Sequence, residues 1–246
     1  MEVHAHSHTA RKKWTHYFWE FLMLFLAVFC GFMAENLREH KVERGREIEY
    51  MKSLIEDLAR DTLAIRKKIE LGKEQKAMRD SMIEIINRAG NSAGNVGRLY
   101  LLSENSNREV KVNFENRTAS QLKNAGGMRL VHKEHVADSI LSYWSDMEIC
   151  NDIGLRLERY GEYRDNAGVQ IFDNKYLVAN NDAFSSIKKI REGAKFIKND
   201  PALLSEYSNR TYFSSLVLRN YLSVLNKTKH DAAHLIDLIK KEYHLE

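Results

Sequence analysis

The stretch Trp14–Glu35, WTHYFWEFLMLFLAVFCGFMAE, decides how this chain is built. From Phe21 to Ala34 it carries no charge and no proline, and Trp14, Tyr17 and Trp19 stand just before that run. Taken with its aromatic flank, the stretch reaches the roughly 20 residues that a helix needs to cross a bilayer. Indole and phenol rings favour the headgroup level, so the flank suits a membrane interface. Nothing else in the 246 residues has this character. A cleaved signal peptide would want small residues in an A-x-A-like pattern, and VFCGFMAEN matches that poorly. The expectation is an uncleaved transmembrane helix over 14–35, with the lipid bilayer as its first partner.

Glu20 is the ionisable residue of that span, and His16 lies four residues earlier on the same helical face. An acid at the bilayer centre costs roughly 2.5–3.5 kcal/mol to insert and usually marks function. A His16–Glu20 pair engaged in proton or ion movement is therefore one reading. The other places Glu20 at the boundary, snorkelling to water beside Trp19. The short charge-free run after Phe21 favours the boundary.

Working outward, residues 1–13 form a short basic, histidine-rich tail, with His4, His6 and His8 alternating before Arg11, Lys12 and Lys13. Alternating imidazoles suit Zn, Ni or Cu, but no cysteine or carboxylate completes a defined set, so no metal site is assigned. Lys and Arg flank both sides of the span, which leaves the positive-inside tally near balance. Long domains translocate largely regardless of charge, and a basic start before an apolar run is the order of a signal anchor. The N-terminus is expected inside and the bulk of the chain outside.

On the other side, residues 36–89 contain no proline and only Gly45 and Gly72. Ile48, Met51, Ile55, Leu58, Thr62, Ile65 and Ile69 follow the 3–4 alternation of a coiled-coil seam. A second frame continues through Leu71, Gln75, Met78, Met82 and Ile85, with Gly72 as a candidate hinge. This reads as a rod that packs on the chain's own later helices or on another copy.

Residues 90–246 are expected to form a helical extramembrane domain that packs back on the rod. A single proline, few glycines and abundant Leu, Ile, Glu, Lys and Arg point the same way, to an all-α fold. Residues 89–116 carry loop compositions around VGRLYLLS, a short helix or strand, and KVNF is expected to be extended. Thr118 and Gln121 have capping-box spacing, which starts a short helix that ends at Gly126-Gly127. A second helix follows to about Gly168, with Val136, Ile140, Tyr143, Met147 and Cys150 on one face. Gly154, Gly161 and Gly168 recur every seven residues, a pattern that permits close helix approach. Residues 172–199 read as a further helix. Asp200-Pro201 then opens a long terminal helix, an acid at the N-cap and proline at the first position.

The segment from Trp14 through Leu58, together with RTASQLKNAGGMRL, resembles an uncharacterised family of single-pass inner-membrane proteins from Bacteroidota. The family motif falls on Arg117, Thr118, Gln121, Leu122, Lys123, Gly126, Gly127, Arg129 and Leu130. That resemblance implies a Gram-negative inner membrane with the bulk of the chain in the periplasm. It implies no chemistry.

None of the common phosphate-loop, nucleophile-elbow, zincin or paired C-x-x-C motifs occurs, so a non-enzyme without cofactor is expected. His230 and His234 stand at i,i+4 but lack the glutamate of H-E-x-x-H, and a solvated face accounts for them. Cys30 and Cys150 lie in separate regions and are expected to be unpaired thiols. The formal charge of +4 is spread over alternating acids and bases, which argues against nucleic acid as a partner. Three functional classes remain. The first is a membrane-anchored scaffold or accessory subunit of an envelope complex, self-associating or bound to another membrane protein. The second is a periplasmic ligand-sensing bundle acting through a membrane partner. The third is an ion-coupled component that uses Glu20.

Overall fold

The computed structural model describes residues 14–89, 93–124, 126–178 and 189–245, so the histidine-rich tail lies outside the described residues. The fold is all-α; among the described residues there are five α-helices and no strand beyond an isolated bridge between Leu177 and Ile190. In chain order the helices are α1 (Trp14–Ala89), α2 (Ala93–Asn105), α3 (Arg117–Asn124), α4 (Glu134–Gly168) and α5 (Pro201–Tyr243). The chain divides into two compact units, one ending at Glu49 and one beginning at Tyr50.

In the first unit, α1 contains a segment long and apolar enough to cross a membrane. An 18-residue window there has mean hydropathy 1.9, and none of it is buried. Phe21, Phe25 and Phe29 stack as a ladder, with ring centroids 6.3 and 6.0 Å apart. Beyond the apolar run, Arg38 donates from Nε to Glu35 Oε2 at 2.9 Å and from Nη2 to the other oxygen.

The second unit is built on three long helices: α1 from Tyr50 onward, α4 and α5. Met51 and Leu58 share a cluster with Ile140 and Leu235, and Ile65 and Ile69 share one with Leu157 and Leu218. Met82 meets Ala167 and Leu204. Residue numbers rise together along α1 and α4 and fall along α5, so α4 runs parallel and α5 antiparallel to this part of α1. Each fully buried Leu or Ile removes enough apolar surface from water to contribute about 2 kcal/mol. Residues 109–116, KVNF among them, run as an extended segment in place of a fourth helix. Buried Val110 and Val112 anchor that segment, and the Val112 N–H donates to the Tyr221 hydroxyl at 2.9 Å.

The seam of α1 is rotated from its predicted register. Met51, Leu58, Ile65 and Ile69 are buried as expected, whereas Ile48, Ile55 and Thr62 are only half-buried. Leu54, Asp57, Asp61, Gly72 and Arg79 complete the buried face. The apolar pattern could not show this, because three of those residues are charged. Gly72 is no hinge: α1 runs through it unbroken. A Cβ there would lie 2.6 Å from Leu222 Cδ2 and 3.1 Å from Val110 Cγ1, so the missing side chain lets α5 and the extended segment approach.

VGRLYLLS forms part of α2. The helix expected over 172–199 is not formed in its described parts. Asp173 instead accepts from the Lys175 N–H at 3.1 Å and caps a single 3-10 turn. Tyr100 holds the surrounding chain in place, its hydroxyl accepting from the Asp173 N–H at 2.8 Å and donating to the Lys195 carbonyl at 2.9 Å. Phe172, Tyr176 and Phe196 pack on the same ring, so the aromatic residues of the described parts gather around one tyrosine from α2. Of the residues whose spacing suggested a helix over 172–199, Phe172, Tyr176, Leu177, Phe184, Ile187 and Ile190, Phe184 and Ile187 lie outside the described residues. The terminal helix starts as predicted, with Asp200 Oδ1 accepting from the Ala202 N–H at 2.9 Å ahead of Pro201.

Candidate functional site

His16 and Glu20 meet across one turn of α1, Nε2 to Oε1 at 3.0 Å, and both side chains are about half exposed (48% and 53%). Helical i,i+4 spacing alone brings them together.

The residues of the RTASQLKNAGGMRL stretch are gathered by α3 and the turn that follows. Arg117 Nη2 lies 3.0 Å from Asp57 Oδ1 and 3.5 Å from Glu56 Oε2. Thr118 makes no capping box with Gln121, which is exposed. The Thr118 hydroxyl donates to Asp57 Oδ2 at 2.6 Å, and its N–H donates to the same oxygen at 3.1 Å. The cap of α3 thus comes from α1. A carboxylate at a helix N-terminus satisfies an orphan N–H and also meets the positive end of the helix dipole. Leu122 is fully buried, and Lys123 Nζ lies 4.8 Å above the Trp144 ring. Gly126 adopts a left-handed φ of 65°, and Arg129 lies over it. At Gly127 a Cβ would come within 3.1 Å of the Leu122 Cα, while Leu130 is half-buried. The stretch therefore specifies a helix, a tight turn and their attachment to α1.

One turn beyond Asp57, Asp61 Oδ1 accepts from the Glu115 N–H at 2.8 Å and Oδ2 from the Tyr143 hydroxyl at 2.7 Å. Burial raises the Asp61 carboxyl to about 6, against the pull of those two donors. The Tyr143 phenol is pushed well above its ordinary range by burial and by the neighbouring acid.

Further along α1 sits a second polar cluster. Arg79, 4% exposed, donates from Nη1 to Ser214 Oγ at 3.1 Å. Its Nη2 donates to Gln75 Oε1 at 3.1 Å and to the Ser106 carbonyl at 3.2 Å. Fully buried Arg164 of α4 approaches the same serine, Nη1 to Oγ at 3.5 Å, and bonds Asp165 at 3.0 Å and the Asn107 side chain. Burial first, and then the charge of Arg164, pull the Arg79 guanidinium down to about 9. Arg79 still carries its charge at neutral pH, without an ion pair among the described residues.

A cleft of about 330 Å³ opens beside this cluster, between α1, the extended segment and α4. Buried Gln75, Arg79 and Leu157 form its floor, and exposed Glu109 and Glu162 stand at its rim. The heptad glycines serve different ends. Gly154 lets the Lys111 chain pass, with the Cβ position 3.2 Å from its Cγ, and Gly168 receives the Tyr207 ring. Gly161 lines the cleft and has nothing within 4 Å of its Cβ position.

His230 and His234 are exposed, and no group of three metal-ligating side chains occurs among the described residues. Cys30 and Cys150 are both free thiols, and Cys150 is buried 3.3 Å from Thr228 Oγ1. Sequence reading missed Asp57, Asp61, Arg79 and Arg164. Asp57, Asp61 and Arg79 each stand one residue beside the predicted seam of α1, at positions next to Leu58, Thr62 and Met78, so the apolar pattern carried no signal for them. The chain matches no family model, no curated protein and no solved structure.

Proposed function

We propose that this protein is a membrane-anchored helical scaffold or accessory subunit of an envelope complex. The observation that carries this reading is α1 itself. One helix supplies a fully exposed apolar segment and, further along, a wall of the extramembrane bundle. From Met51 onward the seam is covered by the chain's own α4 and α5. Association with another copy or another membrane protein then falls to the exposed faces, above all the apolar segment of α1. The compartment is the inner membrane, with residues beyond the span in the periplasm, in keeping with the resemblance to single-pass Bacteroidota proteins. No catalysis, cofactor or nucleic acid enters this role.

Membrane fractionation tests the anchor. The full chain should stay in the membrane pellet through an alkaline wash and leave it only with detergent. Protease added to the periplasmic face should degrade the region beyond the span. Release by alkali, or protection of that region until the inner membrane is breached, would overturn the reading.

The His16–Glu20 contact favours a second role, ion movement with a partner helix. Glu20→Gln removes the titrating group and keeps the shape. Ion-coupled function predicts loss of phenotype with the complex still assembled, whereas an interfacial Glu20 predicts an unchanged phenotype.

A further inference from the structure

Every charge around the cleft beside Arg79 can be assigned to a partner or left over. Lys111 Nζ pairs with Glu158 at 3.2 Å, Arg108 with Glu74 at 3.2 Å, and Arg164 with Asp165 at 3.0 Å. Three lining charges remain without an ion pair among the described residues: Arg79 in the floor, and Glu109 and Glu162 at the rim. Arg79 is the costly one. A guanidinium taken out of water is repaid only by an opposite charge in good geometry, and here neutral oxygens stand in for it. The Nε of Arg79 and that of Arg108 are both buried and lack any hydrogen-bond partner among the described residues. In a folded protein, buried donors left over in this way are uncommon.

Size and access fit a small molecule. The volume is near the lower end of the range for ligand pockets. Gly161 keeps the α4 wall open where any other residue would project a side chain. The leftover charges select the chemistry. A simple anion would satisfy Arg79 and face two unpaired carboxylates. A simple cation would satisfy the rim and leave the floor uncompensated.

We propose that this cleft binds a small zwitterion of the α-amino acid class. Its carboxylate turns to the Arg79–Arg108 side and its ammonium to Glu109 and Glu162. The site is independent of the scaffold role and stands or falls separately from it.

The test is thermal unfolding of the full-length protein in mild detergent, titrated with each of the common L-amino acids, with acetate and with methylamine. At least one amino acid should raise the transition saturably, while acetate and methylamine produce at most a small fraction of that shift. Glu162→Gln removes an exposed rim charge and should weaken the response about tenfold, the worth of one hydrogen bond to a charged group. Gly161→Leu fills the cleft from an unobstructed position and should abolish the response, with helical circular dichroism retained and ligand-free unfolding no lower than in the natural protein. Three results would each overturn the proposal: no saturable response to any amino acid, a response that survives Gly161→Leu, or acetate acting as strongly as the best amino acid.

Discussion

Asp57 shows how much one side chain decides here. It sits on the buried face of α1, yet its carboxylate is shared by the Thr118 hydroxyl, the Thr118 N–H and the Arg117 guanidinium. Asp57→Ala would strand buried donors and leave α3 uncapped. The expected loss is about 2–3 kcal/mol of stability, read from urea unfolding in micelles. Arg117→Ala removes only a half-exposed partner and should cost no more than about 1 kcal/mol. Equal losses in the two variants would show that Asp57 does not cap α3. Asp61 carries a pH signature. Its folded carboxyl titrates near 6 against 3.8 for an ordinary aspartate, so between those values the folded state holds a proton that the unfolded chain has released. Its contribution to stability therefore falls as pH rises through that window, by at most about 3 kcal/mol. Asp61→Asn cannot titrate. The stability of that variant relative to the natural protein should improve from about pH 4 to about pH 7. A constant difference across that range would contradict the assignment. None of this was legible in the sequence, because a hydrophobic pattern passes over a charged residue whose partners lie more than fifty positions away.

At the scale of elements, the chain announced its long helices well and its irregular parts poorly. The aspartate-proline pair marks the start of α5, and a run with apolar residues at helical spacing ends α4 at Gly168, because these signals are local. The segment over 172–199 failed for the opposite reason. Its aromatic residues have helical spacing, but their common partner is Tyr100 of α2, and a contact so remote leaves no periodic trace. The register of α1 was blurred in the same way by the acids on its buried face. Glycine substitutions separate propensity from packing. In an open helix position, Gly161→Ala should stabilise by about 0.5–1 kcal/mol. Gly72→Ala brings the same propensity gain but forces a methyl against Leu222 and Val110. Overpacking of this kind costs about 1–3 kcal/mol, so the net effect should be a loss of about 1 kcal/mol. Thermal melts of the two variants should move in opposite directions. A gain at Gly72 would mean that the interface between α1, α5 and the extended segment yields easily.

For the whole molecule, composition supplied the all-α fold class, and one apolar stretch supplied the helix long and apolar enough to cross a membrane. The sequence left open how the second unit closes on itself. There the seam, read as a surface for either the chain's own helices or another copy, is used internally from Met51 to Ile85. What the molecule still offers outward is the exposed apolar face of α1, with its phenylalanine ladder, and the charged faces of the bundle. A chain with the core of its second unit filled, and with a helical segment long and apolar enough to cross a membrane left exposed, is suited to joining something else there. The most direct measurement is the mass and protein content of the full-length species, extracted from its native membrane in mild detergent. A defined complex should appear, carrying a stoichiometric membrane protein partner or several copies of the 28.7 kDa chain. A homogeneous monomer with no co-purifying protein would contradict the scaffold and accessory-subunit account.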